Sequence, residues 1–120
     1  MKLIIAGSRS IDEIVAYAEI VKLRILDNSP IANVTEIVSG RARGPDKAGE
    51  VYGDFYDIPI KKFPADWNKF GKRAGPIRNA EMAKYADMLL LIWDGKSRGS
   101  LDMRQRMVGL GKPIVEVILK

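Results

Sequence analysis

The sequence predicts an α/β fold, because five short apolar segments alternate with four segments of helical character along its 120 residues. The apolar segments have the length of strands, and glycine ends or follows several of them, as is typical of buried parallel strands. Crossover helices between parallel strands make right-handed connections and cover both faces of the sheet. We therefore expect a single doubly wound, Rossmann-like domain over residues 1–120, with three layers and a mostly parallel five-stranded sheet.

The first strand is predicted at residues 2–7, where the apolar run KLIIAG ends in glycine. A long helix is predicted after it, because apolar residues recur at helical spacing. Ser10 and Glu13 have the spacing of a capping box at its start. The helix is expected to end at residues 28–30, where asparagine, serine and proline interrupt the pattern.

A second strand is predicted at residues 35–40 (TEIVSG), with a second helix directly after it. Gly44 is expected to be the N-cap of this helix, and Pro45 to occupy its first turn. The expected apolar face of the helix consists of Ala48, Val51, Tyr52 and Phe55. A third, shorter strand is expected at residues 58–65, with proline near its start.

The second half of the chain begins with a polar, basic connection at residues 66–75. A helix is predicted from Gly75 and Pro76 to about Tyr85. The most apolar run of the chain, MLLLIW at residues 88–93, is expected to be a central strand whose last residue, a tryptophan, lies in the core. A helix that ends at Gly111 and a last strand complete the fold.

The composition narrows the possible chemistry. The chain has no cysteine and no histidine, which excludes disulfides, thiolate catalysis and metal sites built on these residues, so we predict no metal site and no cofactor. Its net charge of +5 suits an anionic partner. No apolar run approaches the roughly 18 residues of a membrane span, so we expect a cytoplasmic protein without a membrane partner.

Three glycine- and arginine-bearing loops follow predicted strands: GSRS, SGRARGPD and DGKSRGS. The carboxyl ends of parallel strands share one edge of the sheet, and each loop leads into a helix N-terminus, which favours an anion. Any one loop could be only a tight turn, and the dinucleotide and Walker fingerprints are absent, but together the loops predict a phosphate-binding rim. The expected ligand-binding residues are Gly7, Ser8, Arg9, Ser39, Gly40, Arg41, Arg43, Gly44, Asp46, Arg78, Asn79, Asp94, Gly95, Ser97, Arg98, Gly99 and Ser100.

Four further side chains have two interpretations each. Asp46 and Glu50 share a helix face, so one could bind a ribose hydroxyl or stabilise an oxocarbenium-like transition state. We favour the structural alternative, in which Asp46 complements the helix dipole and Glu50 is solvated. Trp67 and Phe70 could stack on a base, but we favour their packing the connection onto the core.

Five segments carry a resemblance to a known family: IIAGSRS, EIVSGRARGPD, FPADWNKFGKRAGPIRNAEM, ADMLLLIWDGKSRGS and GKPIVEV. In order, and over nearly the whole chain, they resemble the YspA, or cpYpsA-related, branch of the SLOG superfamily. That superfamily includes the LOG phosphoribohydrolases and the DNA-processing protein DprA, whose SGxARGxD-like loop is similar to residues 39–46. The resemblance implies a nucleotide-derived small-molecule ligand and a homodimer or larger homo-oligomer.

The chain departs from the family patterns at two places. Arg41 replaces the second glycine of the usual SGGARG. The loop that resembles PGGxGTxEE retains Gly99 and Ser100, but Asp102 replaces its first glutamate and Met103 its second. In this second loop, the changes affect the catalytic half more than the phosphate-binding half.

The first functional hypothesis is therefore binding or sensing of a nucleotide or a nucleotide-derived ligand. The second is a nucleoside-monophosphate phosphoribohydrolase, with Asp102, Glu50 or Glu81 as the catalytic acidic residue. The third is DprA-like binding of single-stranded nucleic acid, which the net charge and the basic residues 69–73 suggest.

Overall fold

The computed structural model describes residues 1–119 and confirms the predicted α/β class. The strands are β1 (Lys2–Gly7), β2 (Glu36–Ser39), β3 (Ile60–Lys62), β4 (Met88–Trp93) and β5 (Ile114–Ile118). The helices are α1 (Glu13–Arg24), α2 (Pro45–Phe55), α3 (Trp67–Phe70), α4 (Ala74–Tyr85) and α5 (Arg98–Gly109), with a 3₁₀ turn at Gly71–Arg73.

The five strands form one sheet in the order β3-β2-β1-β4-β5, and every pair is parallel. From β1 the chain first builds outward through β2 to β3, and then returns to the other side of β1 for β4 and β5. The strand order therefore reverses between β1 and β4. All six residues of β4 are buried, which confirms its predicted central place.

Two apolar clusters lie on opposite faces of the sheet, because successive strand residues point to opposite sides. Leu3, Ile5 and Leu90 belong to the cluster that includes residues of α1 and α2. Ile4 and Leu89 belong to the cluster that includes residues of α4 and α5. The structure is thus the predicted three-layer arrangement, with a helical layer on each face.

The start of α1 differs from the prediction. Its N-cap is Asp12, whose carboxylate accepts a hydrogen bond of 2.8 Å from the backbone N–H of Ile14. The capping box expected from Ser10 and Glu13 is therefore wrong, because a competing acidic side chain lies between them. The helix also ends at Arg24, before the expected 28–30. By contrast, Gly44 and Pro45 begin α2 as predicted.

The buried face of α2 also differs from the prediction. Ala48 and Tyr52 are buried, but Val51 and Phe55 are 42% and 71% exposed. The face toward the sheet instead contains Gly49, where an added Cβ would lie 2.8 Å from Ile5 Cβ. Glycine lets this face of the helix approach the sheet closely, and Val51 and Phe55 lie on the outward side.

The polar connection expected at residues 66–75 contains α3 and the 3₁₀ turn. The following helix begins at Ala74, one residue before the predicted start, and ends at Tyr85 as expected. Trp93 is buried as predicted, and its indole N–H donates a hydrogen bond to Glu116. Within residues 1–119, no helix combines the length and the apolar character needed to cross a bilayer.

We predict that Gly49→Ala lowers the free energy of unfolding by about 1–2 kcal/mol in urea denaturation. A Cβ at 2.8 Å from Ile5 forces helix and sheet apart, and this steric cost exceeds the roughly 1 kcal/mol gain in helix propensity. Gly109→Ala is the matched control, because its Cβ meets no atom within 4 Å and stability should stay equal or rise. Equal stabilities of the two variants would contradict the close approach.

Candidate functional site

A cleft of about 550 Å³ lies beyond the carboxyl ends of β1 and β4. This is the position where the strand order reverses, so the loops after these two strands leave toward opposite faces of the sheet and a crevice opens between them. We call it the main cleft. The residues that line it and were predicted as ligand-binding or catalytic are Gly7, Ser8, Arg9, Asp46, Arg78, Asn79, Asp94, Ser97, Arg98, Gly99, Ser100 and Asp102.

The floor of the main cleft is the close contact between the ends of β1 and β4. A Cβ on Gly7 would lie 1.7 Å from the carbonyl oxygen of Ile92, so only glycine fits at this position. The next residue, Ser8, is buried and donates its backbone N–H to the same Ile92 oxygen at 3.2 Å. Its hydroxyl accepts the backbone N–H of Asp94 at 3.1 Å. The two loops are therefore held together at their roots.

The loop after β4 forms the start of α5. Asp94 accepts hydrogen bonds from the backbone N–H groups of Lys96 at 2.8 Å and Ser97 at 2.9 Å, and these bonds lower the pKa of its carboxyl. Ser97 is the N-cap of α5 and accepts the backbone N–H of Ser100. The first-turn N–H groups of Arg98 and Gly99 precede any intrahelical acceptor, so they are available to an anion in the main cleft.

A buried acid from α2, Asp46, and a basic side chain from α4, Arg78, lie next to each other in the main cleft. Asp46 is 4% exposed, and burial raises the pKa of its carboxyl to about 6, although the positive charge of Arg78 opposes this shift. Arg78 donates to the carbonyl of Gly40 and, through Nε, to Asn79 Oδ1 at 3.0 Å. Burial lowers the pKa of the Arg78 guanidinium, and the Asp46 carboxylate opposes that shift in turn. Both side chains line the main cleft.

Asp102 is held in place from two helices. Its Oδ2 accepts a hydrogen bond of 3.0 Å from Asn79 of α4 and another of 3.0 Å from Arg106 of α5. The Asn79 side chain also donates to the carbonyl of Gly99 at 3.3 Å. Because Asn79 is bonded to both Arg78 and Asp102, it links the basic and acidic groups of the main cleft.

The loop after β2 is supported by a buried carboxylate. Glu50 is 5% exposed and accepts hydrogen bonds of 2.6 Å from the Ser39 hydroxyl and 2.6 Å from the Arg41 guanidinium. The expectation that Glu50 is solvated is therefore wrong, because its position in α2 points it at these two partners behind the loop. Arg41 has a φ of 67°, a left-handed conformation that is uncommon for a residue other than glycine.

Several predicted residues do not line the main cleft. Gly40 and Arg41 line a smaller cavity beside it. The others line neither space, namely Ser39, Arg43, Gly44, Glu50, Glu81 and Gly95. Arg43 and Glu81 are exposed, and neither lines the main cleft or the smaller cavity. Two of the three acidic residues considered as catalytic, Glu50 and Glu81, are thus outside the main cleft.

The sequence interpretation missed Trp67 as a cleft residue. Trp67 is 49% exposed and lines both the main cleft and the smaller cavity, so the expectation that it is packed onto the core is wrong. Asp66 is the N-cap of the short helix that carries it. Lys72, in the following 3₁₀ turn, also lines the main cleft. The signal in the sequence that could have identified Trp67 as a cleft residue is its position, with Phe70, in the basic segment of residues 66–75.

The smaller cavity has a volume of about 200 Å³. We call it the arginine cavity, since Arg9, Arg41 and Arg78 all line it. Among residues 1–119, no group of three or more acidic side chains is placed to hold a metal ion. No protein-family model, no curated protein and no solved structure matches the chain.

We predict that Asp46→Asn stabilises the protein at pH 8 by about 3 kcal/mol and that the difference disappears by pH 4. A carboxyl whose pKa rises from 3.8 to about 6 on folding binds its proton more tightly in the native state, so stability falls as the pH rises through this window.

Urea denaturation across this pH range measures the effect. Asp54→Asn, on the exposed side of α2, controls for the loss of one charge. A loss of stability for Asp46→Asn at pH 8 would show instead that the attraction of Arg78 outweighs the cost of burial.

Proposed function

We propose that the main cleft binds a nucleotide or a nucleotide-derived ligand, with a phosphate at the start of α5. The observation that carries this proposal is the meeting of two anion-binding elements in one space. The free N–H groups of Arg98 and Gly99 and the partly buried guanidinium of Arg78 line the same cleft, at the point of strand reversal.

The size and charge of the main cleft fit a small anionic molecule. A volume of about 550 Å³ lies within the range of roughly 300–1,000 Å³ for small-molecule sites. Four basic side chains line the space, namely Arg9, Lys72, Arg78 and Arg98. A phosphate placed on the α5 N-terminus would gain both the helix dipole and the charge of Arg98.

Other groups in the same cleft fit a nucleoside better than a bare anion. Asp46, Asp94 and Asp102 also line it, and three carboxylates would repel a simple polyanion. Carboxylates that accept hydrogen bonds suit ribose hydroxyls or base amino groups. Trp67 offers a half-exposed aromatic face on which a base can stack.

We expect Arg98→Gln to weaken the binding of nucleoside 5′-monophosphates about 10-fold in isothermal titration calorimetry. A charged hydrogen bond to phosphate contributes roughly 1.5–3 kcal/mol, and glutamine removes the charge while it keeps a shorter polar side chain.

Arg43→Gln is the matched control, because it removes the same charge from an exposed residue that lines neither cavity. An equal loss of affinity in the two variants would mean that only the net charge of the protein affects nucleotide binding. If the unaltered protein binds none of the 5′-monophosphates of the four common nucleosides, the proposed function is refuted.

The second candidate is hydrolysis of the N-glycosidic bond of a nucleoside monophosphate, and the placement of Asp102 favours it. This carboxylate lines the main cleft and is oriented by Asn79 and Arg106, as a group that stabilises an oxocarbenium-like transition state would need to be. Water would add to the anomeric carbon, giving the free base and ribose 5-phosphate.

If the protein is a hydrolase, Asp102→Asn should bind the nucleotide and release at least 100-fold less free base than the unaltered protein, as measured by liquid chromatography. Removing the carboxylate removes its stabilisation of positive charge in the transition state, while the amide keeps the shape of the site. Glu81→Gln, an exposed change outside the cleft, is the control. Binding without any base release by the unaltered protein would leave only the binding function.

A further inference from the structure

The arginine cavity differs in charge from the main cleft that it adjoins. Four residues line both spaces, namely Arg9, Ala42, Trp67 and Arg78, so the two are neighbours across this group. The main cleft contains three aspartates, whereas the lining of the arginine cavity has three arginines and no acidic residue. A ligand that enters both spaces would therefore meet a purely basic surface at this end.

The positive charge of the arginine cavity is only partly compensated. Glu50 pairs with Arg41 from behind, and the single Asp46 carboxylate is shared between Arg78 and Arg9. Arg9 is exposed and has no hydrogen bond or ion pair within residues 1–119. Its charge lies close enough to Arg78 to lower the pKa of that guanidinium further. Two arginines that repel each other would both gain from an anion between them.

Arg41 adds a second observation. It has the left-handed φ of 67° that glycine adopts most easily, which costs about 1 kcal/mol or more for a residue with a side chain. Its guanidinium bonds to Glu50 at 2.6 Å, and this bond fixes it at the cavity wall. The chain therefore places an arginine, at a conformational cost, where a glycine would be unstrained.

We propose that the arginine cavity holds a second phosphate of the ligand whose first phosphate lies at the start of α5. The inference rests on the proposed function and narrows its ligand class. Asp46 lines only the main cleft, next to Arg78, and its carboxylate suits the hydroxyl and base groups of a nucleoside. The ligand class is therefore a nucleoside 3′,5′-bisphosphate, with phosphates on both sides of one nucleoside.

The test compares the 5′-monophosphates and the 3′,5′-bisphosphates of the four common nucleosides by isothermal titration calorimetry. We expect at least one bisphosphate to bind 10-fold or more tightly than its monophosphate. Arg41→Gln should remove this advantage, because Arg41 lines only the arginine cavity. Arg43→Gln, two residues along the same loop and outside both cavities, should retain the advantage.

Arg9→Gln is the second variant, since loss of Arg41 leaves the buried Glu50 with only the more distant Lys47, at 3.8 Å, and could unfold the loop. The exposed, unpaired Arg9 can be replaced without that risk, and the bisphosphate advantage should shrink. Equal affinities for monophosphate and bisphosphate would overturn the inference and leave the proposed function standing. An advantage that survives in both variants would also overturn it. If neither the monophosphates nor the bisphosphates bind, both this inference and the proposed function are overturned.

Discussion

The close contact between the ends of β1 and β4 is the constraint on which the rest of the site depends. Gly7 approaches the Ile92 carbonyl so closely that no side chain fits, and Ser8 bonds to both that carbonyl and the backbone of Asp94. Because the strand order reverses at this pair, the loops diverge toward opposite faces and a crevice has to form between them. The groups proposed to bind the ligand lie on the walls of that crevice or of the arginine cavity beside it.

The walls of the crevice carry groups that folding alone does not favour. A buried carboxyl with a raised pKa, a partly buried guanidinium and a left-handed arginine each lower the stability of the native state. Arg78 is held in place by a hydrogen-bond chain that runs through Asn79 to Asp102 and Arg106, and Arg41 by its bond to Glu50. Such local costs are expected where a site is arranged for a ligand.

The two sides of the site have different supports. On the α2 side, Glu50 bonds to Ser39 and Arg41 and so fixes the loop after β2 without reaching the main cleft. On the α5 side, Asp94 and Ser97 use their oxygens to order the first turn. In both places an acidic residue accepts hydrogen bonds from the backbone or from neighbouring side chains. A count of carboxylates near the rim therefore overstates the number of candidates for catalysis.

The sequence by itself determined the fold class, because strand length, apolar runs and the Gly44–Pro45 helix start are local properties. It also identified most residues that line the main cleft, since strand ends in a parallel sheet share one edge. It wrongly predicted that Val51 and Phe55 belong to the buried face of α2. It also wrongly predicted that Glu50 is solvated and that Trp67 packs onto the core. Only the tertiary structure decided these, because which side of a helix is buried depends on how closely residues distant in sequence, such as Gly49 and Ile5, approach each other.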